Sequence, residues 1–283
     1  MMKNTIYISD LDGTLLNSKK EVSKISYEIL NEYIEIQNLH FSIATARTPA
    51  TVEILLKDIK MKEPVVVMNG VALYDLQKHK YVSIEYLKAS IAQQVIERLG
   101  DTILQGFIYT IDGDELIVYY NQLKGKGRIN FFEERKNLKY KQFVKGEVNS
   151  YDKIIYFVFI DTREQIQSIY DALCEIEGLD MVMYKDIYDE EAYLLEVYSH
   201  KATKSKGIEK LKTLRNFDEV ICFGDHLNDL SMFKLAEEAY AVANAVDEVK
   251  EAATAIIGDN ESHSVATFIK RHHDKRKKEE STC

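Results

Sequence analysis

The chain has 283 residues, 46% of them hydrophobic, enough to bury one large core or two moderate ones. Its 37 Lys and Arg against 46 Asp and Glu leave a formal charge of −9, which argues against nucleic acid or an anionic membrane surface as a partner. Cys174, Cys222 and Cys283 are too widely spaced for a disulfide framework or thiolate metal site, and no run approaches the roughly 18 apolar residues of a membrane span, so a cytoplasmic protein is expected.

Ile6 to Ile8 is a short apolar run of the kind a central parallel strand needs, and Asp10, Asp12 and Gly13 mark its carboxyl end. An Asp-x-Asp after a strand is, by itself, an ordinary polar turn. Ile25, Ile29, Tyr33 and Ile36 then recur at helical spacing, and a second strand is predicted at Phe41 to Ala44. Thr48-Pro49 starts a helix expected to reach Lys60, a third strand covers Val65 to Met68, and Asn69-Gly70 turns the chain.

From about Ser83 the rhythm changes. A helix with Ile91, Val95, Ile96 and Leu99 on one face precedes strands near Ile103 to Thr110 and Leu116 to Tyr120, joined across Asp112-Gly113 as a hairpin. A Lys/Gly-rich stretch, Lys124 to Arg128, reads as a solvated loop that, with Tyr119 and Tyr120, could also line a ligand entrance. An apolar strand Ile154 to Ile160, a helix from Thr162 to Glu177 and strands near Met181 to Tyr184 and Tyr193 to Tyr198 complete this block. The parallel rhythm resumes with a helix from Ser205 to Arg215, strands at Val220 to Phe223, Tyr240 to Val242 and Ala255 to Ile257, and helices around Leu230 and Val249. The expected organisation is a discontinuous doubly wound core, 1–82 and 199–270, an inserted α/β domain, 83–198, and a charged tail, 271–283, expected to fray with His272 and His273 solvated.

Asp10-Leu-Asp12-Gly-Thr14, Thr45, Lys204 before a helix, and Gly224-Asp225-His226-Leu227-Asn228-Asp229 all fall at predicted strand ends or helix starts. In that order they resemble the four motifs of the haloacid dehalogenase-like hydrolases, and the details resemble the Cof-type sugar-phosphate phosphatases, whose cap is inserted after the second motif. Asn69-Gly70-Val71, Leu195-Glu196-Val197 and Asn244-Ala245 add to the likeness. The resemblance implies a Rossmann-like α/β core with a cap. Lys206-Gly207 competes with Lys204 for the third motif; counting eight residues from Glu196 favours Lys204. Ala46 and His226 stand where many relatives have glycine and asparagine.

Charge alone also argues for a cation. A phosphate monoester brings about two negative charges, and Asp10, Asp12, Asp225 and Asp229 add more at one spot, so a divalent ion and basic side chains are required. Hard oxygen donors favour Mg²⁺, with Lys204 and Arg47 supplying the remaining positive charge. The resemblance implies Asp10 as nucleophile and metal ligand, Asp12 as acid and base and a further metal ligand, and Asp225 completing the metal site. It further implies that Thr45 and Lys204 bind the phosphoryl group, that Arg47 and Asn69 contact substrate, and that Asn228 and Asp229 act as outer supports. The implied activity is Mg²⁺-dependent hydrolysis of a small phosphorylated metabolite through an aspartyl-phosphate, by a monomer or weak homodimer. A phosphomutase, or a catalytically idle phosphometabolite-binding protein, are the alternative readings; transfer without phosphate release would mark the first, and binding without turnover the second.

Overall fold

The computed structural model describes residues 3–185 and 191–281; Cys283 lies outside them. The chain divides into two compact units, one formed by 1–83 and 203–283, the other by 84–202.

The first unit opens with β1 (Thr5–Ser9), α1 (Lys24–Ile36) and β2 (His40–Ile43). Ser23 caps α1 by accepting the Ser26 amide, and Leu30, Tyr33 and Ile34 form its buried stripe. Pro49 opens α2 (Pro49–Leu55), which ends a turn earlier than its apolar pattern suggests. Next come β3 (Val65–Val67), β4 (Ala72–Asp75) and β5 (Lys80–Ile84), a small three-stranded sheet in that order, with β3 and β4 antiparallel. Strands β4 and β5 were not separable in the sequence because the short segment around them lacks strong periodicity.

The second unit holds α3 (Ala89–Leu99), β6 (Phe107–Asp112), β7 (Glu115–Tyr120), α4 (Lys126–Arg135), β8 (Lys141–Lys145), β9 (Ile154–Asp161), α5 (Arg163–Leu173), β10 (Leu179–Lys185) and β11 (Tyr193–Ser199). Its six-stranded sheet runs β10-β11-β9-β6-β7-β8 and is antiparallel except where β8 joins β7. Val95 and Leu99 of α3 and Ile166 and Leu173 of α5 pack with Phe157, Phe159, Leu195 and Val197 of the sheet. The Lys124 to Arg128 stretch is only in part a solvated loop: Lys124 to Lys126 are exposed. It leads into α4, and Arg128 is buried with its Nη2 donating to Asp161 at 2.8 Å. Tyr119 packs against the apolar core.

The chain returns to the first unit through α6 (Lys204–Arg215), β12 (Glu219–Gly224), α7 (Leu230–Leu235), β13 (Glu238–Ala241), α8 (Asp247–Ala252), β14 (Ala255–Ile256) and α9 (Ser264–Ser281). The main sheet is parallel throughout, ordered β14-β13-β12-β1-β2. Ala44 bridges to Val66, so β3 continues this layer. The strand order reverses between β1 and β12, and the carboxyl ends of strands at such a switch point form a crevice that receives ligands. Far from fraying, 271–281 continue α9. Val265, Ile269 and His273 lie four residues apart on its buried side, while the Tyr33 hydroxyl donates to Asp274 (2.8 Å) and Tyr7 pairs with His272 Nδ1 (3.0 Å). The polar composition concealed this stripe, and both histidines are packed against aromatic rings rather than solvated.

Candidate active site

Asp10 immediately follows β1, where its amide donates to the Phe223 carbonyl (2.8 Å) of β12. The chain then coils into one wide turn, Leu11–Leu15, that Gly13 permits with φ of 75°. That glycine has a second reason to be there: a Cβ on it would stand 2.4 Å from Asp225 Oδ2. Asp225, just past β12, accepts from the Thr14 hydroxyl at 2.8 Å. The two strands flanking the reversal thus deliver their carboxylates to one place.

Lys204 is the first residue of α6, whose start Thr203 caps by accepting the Lys206 amide. The Lys204 side chain is buried, and its Nζ donates to Asp10 Oδ1 and, at 2.7 Å, to Asp229 Oδ1. Lys206 instead reaches Glu209 at the surface (2.8 Å), which identifies Lys204 as the lysine facing the carboxylates. Asp229 is fully buried, and its Oδ2 accepts from the Asp225 and His226 amides at 2.9 and 3.1 Å. It therefore braces Lys204 with one oxygen and the Asp225 loop with the other. Gly224 makes room, since a Cβ there would come within 2.6 Å of Asp229.

One oxygen each from Asp10, Asp225 and Asp229 lies within 4.8 Å of the others. Burial pushes the Asp10 carboxyl well above its ordinary range; Lys204 pulls it down, and Asp229 and Asp225 push it up. Asp225 is raised for the same first reason, against the Thr14 hydrogen bond. Lys204 loses from burial but gains more from Asp10 and Asp229, so its ammonium is held above the normal value. Three crowded carboxylates against one lysine form a hard-oxygen set with surplus negative charge, and such a set fits a divalent cation of the Mg²⁺ kind.

Asp12 does not join that cluster. Its carboxylate takes a bidentate fork from Arg47, Nε to Oδ2 at 2.7 Å and Nη2 to Oδ1 at 2.6 Å, at a half-exposed position. Asp12, expected as a further metal ligand, lies inside the Leu11–Leu15 turn with its side chain on Arg47 rather than with the carboxylates of Asp10, Asp225 and Asp229. Thr45 is buried at the end of β2, with its amide donating to Val66 O (2.9 Å) and its hydroxyl accepting the Arg47 amide (3.2 Å). Asn69 has φ of 52°, donates its amide to Thr45 O at 3.0 Å, and among the described residues its buried Oδ1 has no hydrogen-bond partner. Asn228 is exposed, and no hydrogen bond of its side chain to the carboxylates or to Lys204 is found among the described residues.

Two contributors were not assigned from the sequence. Asn244 Nδ2 donates to Gly13 O (2.8 Å), and Asn260 both donates its amide to Asn244 Oδ1 (3.0 Å) and its Nδ2 to Leu16 O (2.8 Å), tying down the turn after Asp10. Asn244-Ala245 was visible as a motif without a role; Asn260 carried no signal, because its partners are backbone atoms far away in sequence.

A family model for haloacid dehalogenase-like hydrolases matches residues 7–269. The chain is 25% identical over 283 residues to the pyridoxal phosphate phosphatase YbhA of Escherichia coli, covering 96% of this chain and 99% of that protein. It is 24% identical to the 5-amino-6-(5-phospho-D-ribitylamino)uracil phosphatase YwtE of Bacillus subtilis, covering 92% and 95%. A haloacid dehalogenase-like hydrolase from Bacteroides thetaiotaomicron shares the fold with a TM-score of 0.76 at 23% identity, over 95% of this chain and 99% of that one. With motif residues gathered at the strand reversal and the family match running nearly end to end, this chain belongs to the haloacid dehalogenase-like hydrolases.

Proposed function

We propose that the protein is a Mg²⁺-dependent phosphatase acting on a small phosphorylated metabolite, with 84–202 serving as its cap. The observation that carries this reading is the buried Lys204 ammonium shared between Asp10 and Asp229, with Asp225 alongside. An Asp10 oxygen forms a bond to phosphorus as the bond to the leaving oxygen breaks, and Asp12 gives that oxygen its proton. Water then attacks the aspartyl-phosphate, Asp12 takes up the proton, and inorganic phosphate leaves with Asp10 restored. Lys204 opposes the effect of burial on Asp10 and orients its carboxylate, while Thr45 and Lys204 hold phosphoryl oxygens. Asp10, Asp225 and Asp229 would hold the cation, which supplies neutralisation of phosphoryl charge. Arg47, now on Asp12, is placed to trade one anion for another when a phosphate arrives. The names of the relatives direct the first substrates to test, pyridoxal phosphate and 5-amino-6-(5-phospho-D-ribitylamino)uracil, beside sugar phosphates and nucleotides.

Asp10→Asn should remove Mg²⁺-dependent phosphate release from an aryl phosphate by at least about 10³-fold, as loss of a nucleophile does in other covalent enzymes. Turnover at the parent rate would end the reading.

A further inference from the structure

Two glycines form a notch beneath Lys204 that none of the roles above uses. A Cβ on Gly207, one helical turn after Lys204, would stand 2.4 Å from Val66 Cγ1 and 3.2 Å from Gly70 Cα. A Cβ on Gly70, whose φ is 96°, would stand 2.0 Å from the Thr203 carbonyl. The first turn of α6 therefore lies directly on the end of β3 and the turn after it, closer than any side chain allows. Gly207 also donates its amide to Thr203 O at 3.0 Å, inside the turn that presents Lys204. On the other side of the notch, Val66 O receives the Thr45 amide at 2.9 Å, so one β3 residue touches both the Thr45 segment and the lysine helix.

From this geometry we infer that Gly207 is a positioning residue: its missing side chain seats α6 on Val66 and thereby fixes the reach of Lys204 to Asp10 and Asp229. The inference rests on the phosphatase reading for its kinetic consequence and on the fold alone for its geometric one. Gly207 has no left-handed backbone requirement, and alanine is the better helix former, so Gly207→Ala tests the seat without weakening α6. The added methyl must displace either Val66 or the helix. Displacement on the scale of an ångström at a catalytic group costs up to about 100-fold in rate.

The experiment measures kcat and KM with p-nitrophenyl phosphate and Mg²⁺ for the parent, Gly207→Ala, Val66→Ala and the double variant, with Lys204→Ala as reference. It also determines the crystal structure of Gly207→Ala. The expected result is a kcat lowered about 10- to 100-fold in Gly207→Ala, with native helical content. Most of the loss should return in Val66→Ala/Gly207→Ala, where the obstructing Cγ1 is gone, and the Lys204 Nζ to Asp229 Oδ1 separation should lengthen beyond 2.7 Å in the single variant. An undiminished kcat, or a loss that Val66→Ala does not relieve, overturns the inference while an inactive Lys204→Ala leaves the phosphatase reading standing. Should Lys204→Ala turn over like the parent, the phosphatase reading falls, and the crystallographic separation decides the seat: lengthened supports it, unchanged refutes it.

Discussion

Lys204 and Lys141 show how one residue type takes opposite consequences from burial. Lys204 meets two carboxylates and keeps its charge; Lys141 on β8 is equally withdrawn from water, yet among the described residues its Nζ finds only the Tyr109 hydroxyl (3.1 Å) and the faces of Tyr109, Phe131 and Phe143. No ion pair to it is found among the described residues. Burial, reinforced by the positive charge of Arg135, lowers its pKa to about 7 from 10.5. Between those values the unfolded chain binds the extra proton, so this residue makes stability rise as pH climbs from about 7 to 10.5 and exacts its full cost below 7. Lys141→Met is therefore expected to stabilise the protein by about 1–2 kcal/mol at pH 7, with the gain shrinking toward pH 10. Urea unfolding across that range checks it, and a gain independent of pH would show that the ammonium is not the source. Neither lysine's fate was fully visible in the sequence. The spacing from Glu196 singled out Lys204 over Lys206, but nothing around Lys141 announced that α4 would cover it, because α4 is a polar helix with only Arg128 fully buried.

At the scale of elements, the parallel strands were the legible part. Strands buried on both faces read as unbroken apolar runs, as Ile6 to Ile8 and Val220 to Phe223 do, whereas β8, exposed along most of its length, has no such run. The end of α9 was illegible for the complementary reason: some of its charges are anchored, although Arg271, Lys275, Lys278 and Glu279 are exposed. Arg276 and Lys3 both bind Glu219, and Lys277 reaches Gln37 at 2.9 Å. Against the opposing effect of burial, Lys3, Arg276 and the Thr5 hydroxyl hold the Glu219 carboxyl at about 2. A carboxyl lowered in the fold stabilises above its unfolded value of 4.5, and this contribution is lost as pH falls through about 2. Truncation after residue 270 should cost on the order of 2–3 kcal/mol, from the loss of the His273 burial and the Tyr33–Asp274 and Tyr7–His272 bonds. A denaturation midpoint equal to that of the full chain would mean that the tail contributes nothing, as a frayed segment would.

The whole molecule places most of its candidate chemistry on segments that are distant in sequence and adjacent only through the sheet. Asp10 and Asp225 are 215 positions apart by number, yet β1 and β12 are neighbours, and Lys204 arrives from a helix that follows the second unit. A motif in a sequence can state which residues are present; the parallel order of strands is what sets them side by side, and the notch at Gly207 and the Asn244–Asn260 bonds keep them there. The motifs group Asn228 and Asp12 with the clustered carboxylates by sequence; in the fold Asn228 is exposed and the Asp12 side chain pairs with Arg47. The central claim is that Asp10 takes the phosphoryl group and Asp12 releases it. It is tested most directly by acid-quenching Asp12→Asn during exposure to substrate and Mg²⁺, then mapping the digested protein by mass spectrometry. A phosphoryl group on the peptide carrying Asp10, absent when Asp10→Asn is added to the same variant, is the expected result; phosphate release with no phosphopeptide at Asp10, or a phosphoryl group that persists in the double variant, would contradict the account.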